Sequence, residues 1–274
     1  MSQRFELFIA EQTTAPTLAE LVAGLERLGA AFQRVTESYW SGSWEEPRTG
    51  ARAVLDVGTP PLEEDRLHPP RQYAGWRPLA VAIELPLLGP HWRALEVFAW
   101  LERVLAAWPA ARALDVEDVP TDERGQAAPG AWDRARVCAS WRRQHRAQIA
   151  GMREVPRMPV AESLMLWRWR RERRMEWSRG TVALDLACGT AHPLWVWTDP
   201  AAPAVLPAGG LICVLTSPPI LVQRSQLPEG TALPEAGAAL VPPPAAWPRS
   251  LPRERFRICD DDDWTDEPPD HAPS

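Results

Sequence analysis

The chain has 274 residues, 45% of them hydrophobic, which suffices for one large domain or two ordinary ones with a substantial core. All 30 basic residues are arginine and neither lysine nor asparagine occurs, which excludes a Schiff-base lysine, a P-loop lysine and an asparagine oxyanion donor. A net charge of −6 and a pI near 5.5 argue against general binding of polyanions.

In chain order, Arg4–Ala10 alternates Phe5, Leu7 and Ile9 with Glu6 and Phe8 and reads as a first strand. Thr17 and Glu20 have the spacing of a capping box, and Leu18, Leu21, Val22, Leu25 and Leu28 form the buried stripe of the helix that follows. Phe32–Trp40 reads as a second strand. A long insertion comes next, holding an extra strand at Arg52–Val57 and a proline-rich loop flanked by Trp40, Trp44, Tyr73 and Trp76. Leu79, Val81, Ile83 and Leu85 then alternate with Ala80, Ala82 and Glu84 as a third strand of the sheet. Gly89-Pro90 breaks it, Trp92–Trp108 carries apolar residues at helical spacing, and Leu114, Val116 and Val119 read as a returning strand.

Two β-α-β units in succession predict a ferredoxin-like sandwich of two helices on one four-stranded sheet, over residues 1–120 with an inserted loop at 41–77. A linker is expected at 121–130. Residues 131–225 read as a smaller mixed α/β region: a basic helix at Ala131–Met152, a strand or helix at Glu162–Trp177, and a β-hairpin entering Thr181–Ala187. Residues 226–274 are rich in proline, alanine and acid and read as a largely disordered tail that includes Asp260–Asp263. The whole is α+β.

Two groups of residues suggest surfaces for a partner. Trp44, Tyr73 and Trp76 flank the insertion; the bland alternative is that they cover the sheet. Trp167, Arg168, Trp169, Arg170 and Arg171 open a run whose five arginines outweigh Glu172 and Glu176. Such residues can stack bases and hold phosphates, but the acidic whole argues for a protein partner over nucleic acid.

A third group points to chemistry. Ala183–Ala191 (ALDLACGTA) resembles the first motif of S-adenosylmethionine-dependent methyltransferases, and Thr216-Ser217-Pro218-Pro219 is similar to the catalytic loop of amino-group methyltransferases. The resemblance implies that Asp185, Cys188 and Gly189 line the cofactor. A helix is required directly after the glycine turn, and His192-Pro193 followed by alternation predicts a strand there instead. Cys138 with His145 and Cys188 with His192 are pairs that could serve as nucleophile and base or as half a metal site, with core or turn roles as the default.

The four cysteines are widely spaced with no CxxC pair, which suits a reducing compartment. The prolines and glycines of 199–224 make that uncharged stretch a poor spanning helix, so a cytoplasmic protein without membrane association is expected. The reading is a non-enzymatic protein-binding or adaptor protein, in the form of an accessory or immunity subunit of a bacterial multi-gene system, with no cofactor and no metal.

Overall fold

The computed structural model describes residues 2–59, 72–121, 125–152, 157–172, 181–207, 209–233, 238–259 and 265–266. It is a mixed α+β protein with two compact units, the first taking in Met1–Arg157 and Trp264–Pro268, the second Met158–Asp263 and Pro269–Ser274.

The first unit runs β1 (Ser2–Ala10), α1 (Leu18–Arg27), β2 (Ala30–Thr36), β3 (Tyr39–Glu45), β4 (Arg52–Gly58), β5 (Trp76–Pro86), α2 (His91–Ala107), β6 (Ala111–Asp115) and α3 (Arg134–Ala150). The strands form one antiparallel sheet in the order β2-β3-β4-β5-β1-β6. The sheet therefore has six strands where the sequence suggests four. Phe32–Trp40 is not one strand but the end of β2, a turn, and the start of β3. Arg34 fixes that turn by donating to the carbonyls of Thr36 and Glu37. The extra strand expected at Arg52–Val57 forms as β4, and residues 41–45 of the expected insertion lie in the same sheet as β3. Gly42 is what lets β3 close on β2, because a Cβ there would come within 2.3 Å of the Ala31 carbonyl and 2.6 Å of the Phe32 ring. The proline-rich loop at 60–71 lies outside the described residues.

One face of the sheet carries Phe5, Leu7, Ile9, Leu55, Val57, Val81, Ile83 and Leu85 into a core shared with α1 and α2. The Thr17–Glu20 capping box forms as expected, with Thr17 Oγ1 accepting from the Glu20 N–H and Glu20 Oε2 from the Thr17 N–H. Pro90 stands at the N-cap of α2, one residue before the first turn. The buried arc of α2 is broader than a single amphipathic stripe and includes Trp92, Ala94, Val97, Phe98, Trp100, Leu101, Val104 and even Glu96. The cause is α3, which packs on α2: Val137 and Trp141 join the core, and Trp132 and Arg134 both bond Glu102. The helix expected at 131–152 thus belongs to the first unit, and the boundary falls near residue 157, beyond the linker at 121–130.

The strand pairing has one irregularity. Opposite β1 the register jumps from Glu6–Ala82 to Phe8–Pro78, and Ala80 in the bulge has φ +52°. An L side chain at left-handed φ costs roughly 1–2 kcal/mol, partly offset by the extra unfolded-state freedom of glycine. Ala80→Gly is therefore expected to raise stability by about 0.5–1 kcal/mol in denaturant unfolding. A loss of stability would show that the Ala80 methyl packs better than its exposure implies.

Two-residue strands β7 (Arg157–Met158) and β16 (Thr265–Asp266) pair with each other. The second unit runs α4 (Val160–Glu172), β8 (Val182–Asp185), β9 (Thr190–Trp197), β10 (Ala204–Pro207), β11 (Leu211–Val214), β12 (Ile220–Gln223), β13 (Thr231–Leu233), β14 (Ala238–Val241) and β15 (Phe256–Cys259). Two sheets result, β12-β11-β9-β8-β15 and β10-β14-β13, with β9 and β11 parallel and the other pairs antiparallel. Their cores gather Trp197, Leu206, Ile212, Val214, Val222, Leu227 and Val241 in one cluster, and Ala183, Leu194, Leu211, Leu221 and Phe256 in another. Residues 226–233 and 238–259 are thus structural, which corrects the expectation of a tail beginning at 226. The acid run Asp260–Asp263 lies outside the described residues. Among the described residues, no helix is long and apolar enough to cross a membrane.

Candidate functional site

The Arg/Trp run is helical as far as Glu172. Ser163, Leu166 and Arg170 recur at three and four residues, so they share the arc of α4 that packs on β8 and β9; their exposures are 0%, 0% and 3%. The opposite arc presents Ala161, Arg168 and Arg171 to solvent, with Trp167 half-buried at its margin. Arg171 lies over the Trp167 ring, its guanidinium carbon 5.4 Å from the centroid. Arg257 of β15 pairs with Glu162 in the first turn and fixes the start of the helix. Of the residues nominated from sequence, Trp167, Arg168 and Arg171 therefore share an accessible surface, whereas Arg170 is interior and cannot meet a partner. The side chain of Trp169 and residues 173–177 lie outside the described residues.

The aromatic group of the first unit does not form one surface. Trp44 is 3% exposed and stacks on Trp100 with centroids 5.1 Å apart, which makes it core. Tyr73 packs edge-on against Phe8 at 5.2 Å. Phe8 alternates with the core residues Leu7 and Ile9, so that contact covers the other face of the sheet. Trp76 begins β5 opposite Ala10 and is half-buried. The bland reading, in which these rings cover the sheet, fits Trp44 and Tyr73.

Asp185 ends β8, and residues 186–189 turn the chain directly into the antiparallel strand β9. Gly189 serves the turn with φ +71°, its N–H donating to the Asp185 carbonyl at 2.9 Å. Thr216–Pro219 likewise joins the antiparallel pair β11–β12, closed by the Thr216 hydroxyl donating to the Pro218 carbonyl at 2.7 Å. Both segments are hairpin turns. The strand-turn-helix that the methyltransferase resemblance implies at Gly189 is not formed, because Pro193 and the alternation after it continue a sheet.

The Asp185 carboxylate, 3% exposed, is held by Arg255, whose Nε donates to Oδ1 at 2.8 Å and whose terminal nitrogen donates to Oδ2. The Ala187 N–H also donates to Oδ1. The Arg255 guanidinium, aided by Cys188 and that N–H, holds the Asp185 carboxyl well below the usual carboxylate range against the opposing effect of burial. A depressed folded-state pKa contributes stability that is fully present above the unfolded value of about 3.9 and is lost progressively as pH falls from there through the lower folded-state value. Wild type is therefore expected to lose melting temperature between about pH 5 and pH 3 faster than Asp185→Asn, so that the gap between them narrows on acidification. A constant gap would mean that the pair carries no pH-linked stability.

Arg255 is the site residue that sequence reasoning missed. It lies 70 positions from Asp185, in a stretch that reads as tail, and the weak alternation of Phe256 and Ile258 is the one signal of the strand that it directly precedes. His145 is 4% exposed, stacks on Trp141 at 4.6 Å and bonds the Leu87 carbonyl through Nδ1, so it acts as core packing. Among the described residues, no group of three or more His, Cys, Asp or Glu gathers as a metal site would require. No protein-family model matches the chain, and no curated protein or solved structure matches it.

Proposed function

We propose that the chain is a non-enzymatic binding protein that presents the outer arc of α4 to an acidic protein surface. The observation that carries this reading is the exposed pair Arg168 and Arg171 with the half-buried Trp167 beside them, Arg171 lying over its ring. Tryptophan and arginine dominate interface hot spots, because a rigid ring and a planar guanidinium bury area and hydrogen-bond at low entropic cost. Arg168 and Arg171 make the patch cationic, so it favours a partner surface of opposite sign. An accessory or immunity subunit of a bacterial multi-gene system, acting in the cytoplasm, is the form this takes. We read the first unit as a ferredoxin-like scaffold widened by β3 and β4, since β5, α2 and β6 make a split unit around β1.

The test is affinity purification of the intact chain beside its Trp167→Ala/Arg171→Ala variant. A stoichiometric protein partner is expected with wild type, retained at roughly 30-fold or lower affinity by the variant, as loss of about 2 kcal/mol at a hot spot implies. Equal retention by both chains, or recovery of nuclease-sensitive nucleic acid in place of protein, would overturn the proposal.

A further inference from the structure

The β8–β9 turn gathers a cluster that protein binding does not use. Cys188 is exposed, and its Sγ lies 2.9 Å from Thr190 Oγ1, which in turn lies 3.0 Å from His192 Nε2. Thr190 and His192 are two apart on β9 and so point to the same side of the strand. Arg255 and the Asp185 carboxylate it holds both face the Cys188 side chain, so the thiol sits beside an ion pair. Nucleophile, hydroxyl, imidazole and the Asp185–Arg255 pair are thus brought together by a four-residue turn, the start of β9 and the turn before β15. The other three cysteines differ: Cys138 and Cys213 are half-buried and Cys259 is buried.

We propose that Cys188, Thr190 and His192 form a reactive-thiol site that is oxidised by a small hydroperoxide. In the step, the thiol proton passes to Thr190 Oγ1 while the threonine proton passes to His192 Nε2. The sulfur attacks the distal peroxide oxygen, an S–O bond forms and the O–O bond breaks. The leaving oxygen takes the proton back from the imidazole. The products are a sulfenic acid and water or an alcohol, with sulfur oxidised by two electrons and the peroxide reduced by two. Arg255 stabilises the negative charge that develops on the leaving oxygen. Thr190 acts as a positioning residue, since its part is to carry the proton between the other two.

The experiment exposes the full-length protein to hydrogen peroxide with a sulfenic-acid-trapping dione, and follows labelling of each cysteine by peptide mass spectrometry. Cys188 is expected to label first. Thr190→Val should slow its labelling on the order of a hundredfold, the low end for a positioned proton acceptor, and Thr190→Ser should restore it. His192→Gln should slow Cys188 labelling to a similar extent, since it removes the proton acceptor at the end of the relay. Unchanged Cys188 labelling in both Thr190→Val and His192→Gln would overturn the proposal and leave mere exposure as the explanation. Equal labelling of Cys188 and the buried Cys259 in wild type would do so too.

Discussion

Replacing Trp100 with alanine is expected to destabilise the first unit by about 3–5 kcal/mol, the range for deleting a large buried aromatic. Trp100 is fully buried, stacks on Trp44 at 5.1 Å with an interplanar angle of 18°, and donates its indole N–H to the Leu28 carbonyl at 3.0 Å. Leu28 is the C-cap of α1, so one side chain ties α2 to the sheet through Trp44 and to the end of α1 through a hydrogen bond. Alanine would leave a cavity and an unpaired carbonyl together. Total stabilities are ~5–15 kcal/mol, so the loss should place the variant near its unfolding midpoint at moderate denaturant. Trp100→Phe keeps most of the apolar contact and loses the hydrogen bond, so about 1–2 kcal/mol is expected. Equilibrium unfolding followed by circular dichroism separates these values. A change below about 1 kcal/mol for alanine would show that α1, α2 and β3 are not joined through this residue.

The second large effect concerns the C-terminal fifth of the chain. Removing residues 226–274 is expected to abolish the cooperative fold of the second unit. The truncation deletes β13, β14 and β15, and with them the fully buried Val241, the nearly buried Phe256 and Cys259, and Trp247, whose ring packs edge-on against Trp197 at 5.1 Å. It also strips Asp185 of Arg255, leaving a buried carboxylate without its counter-charge. Near-ultraviolet circular dichroism should lose the part of the tryptophan signal that arises from Trp197, and proteolysis should begin within 181–223. A truncated chain with unchanged dichroism and protease resistance would restore the view of 226–259 as a dispensable tail.

Some of this fold was legible in the sequence and some was not, for physical reasons that differ by element. β5 and α2 could be read because Leu79–Leu85 and Trp92–Val104 each bury a continuous apolar set at a single period. β3 escaped because Ser41, Gly42 and Ser43 carry little apolar signal; its place is set by two tryptophans and by a glycine that permits close approach. α4 was ambiguous between helix and strand since its inner arc includes Ser163 and Arg170, which blunts the amphipathic contrast. The strands of the second unit are three to eight residues long, and prolines such as Pro207 end or interrupt them, so the alternation is short and easily taken for loop. The arginine-rich run was found as a surface but not as a face: only the helical turn separates the accessible Arg168 and Arg171 from the buried Arg170. The Asp185–Arg255 pair was beyond reach, because partners 70 residues apart leave no mark in spacing.

In the function proposed above, a partner binds the outer arc of α4. Hydrogen–deuterium exchange on the intact chain, alone and with the protein that co-purifies with it, tests this most directly. Slower exchange over Ala161–Arg171 in the complex, relieved by raised salt as an exposed cationic patch requires, is the expected result. Protection confined to the first unit, with α4 exchanging at the same rate bound and free, would contradict it.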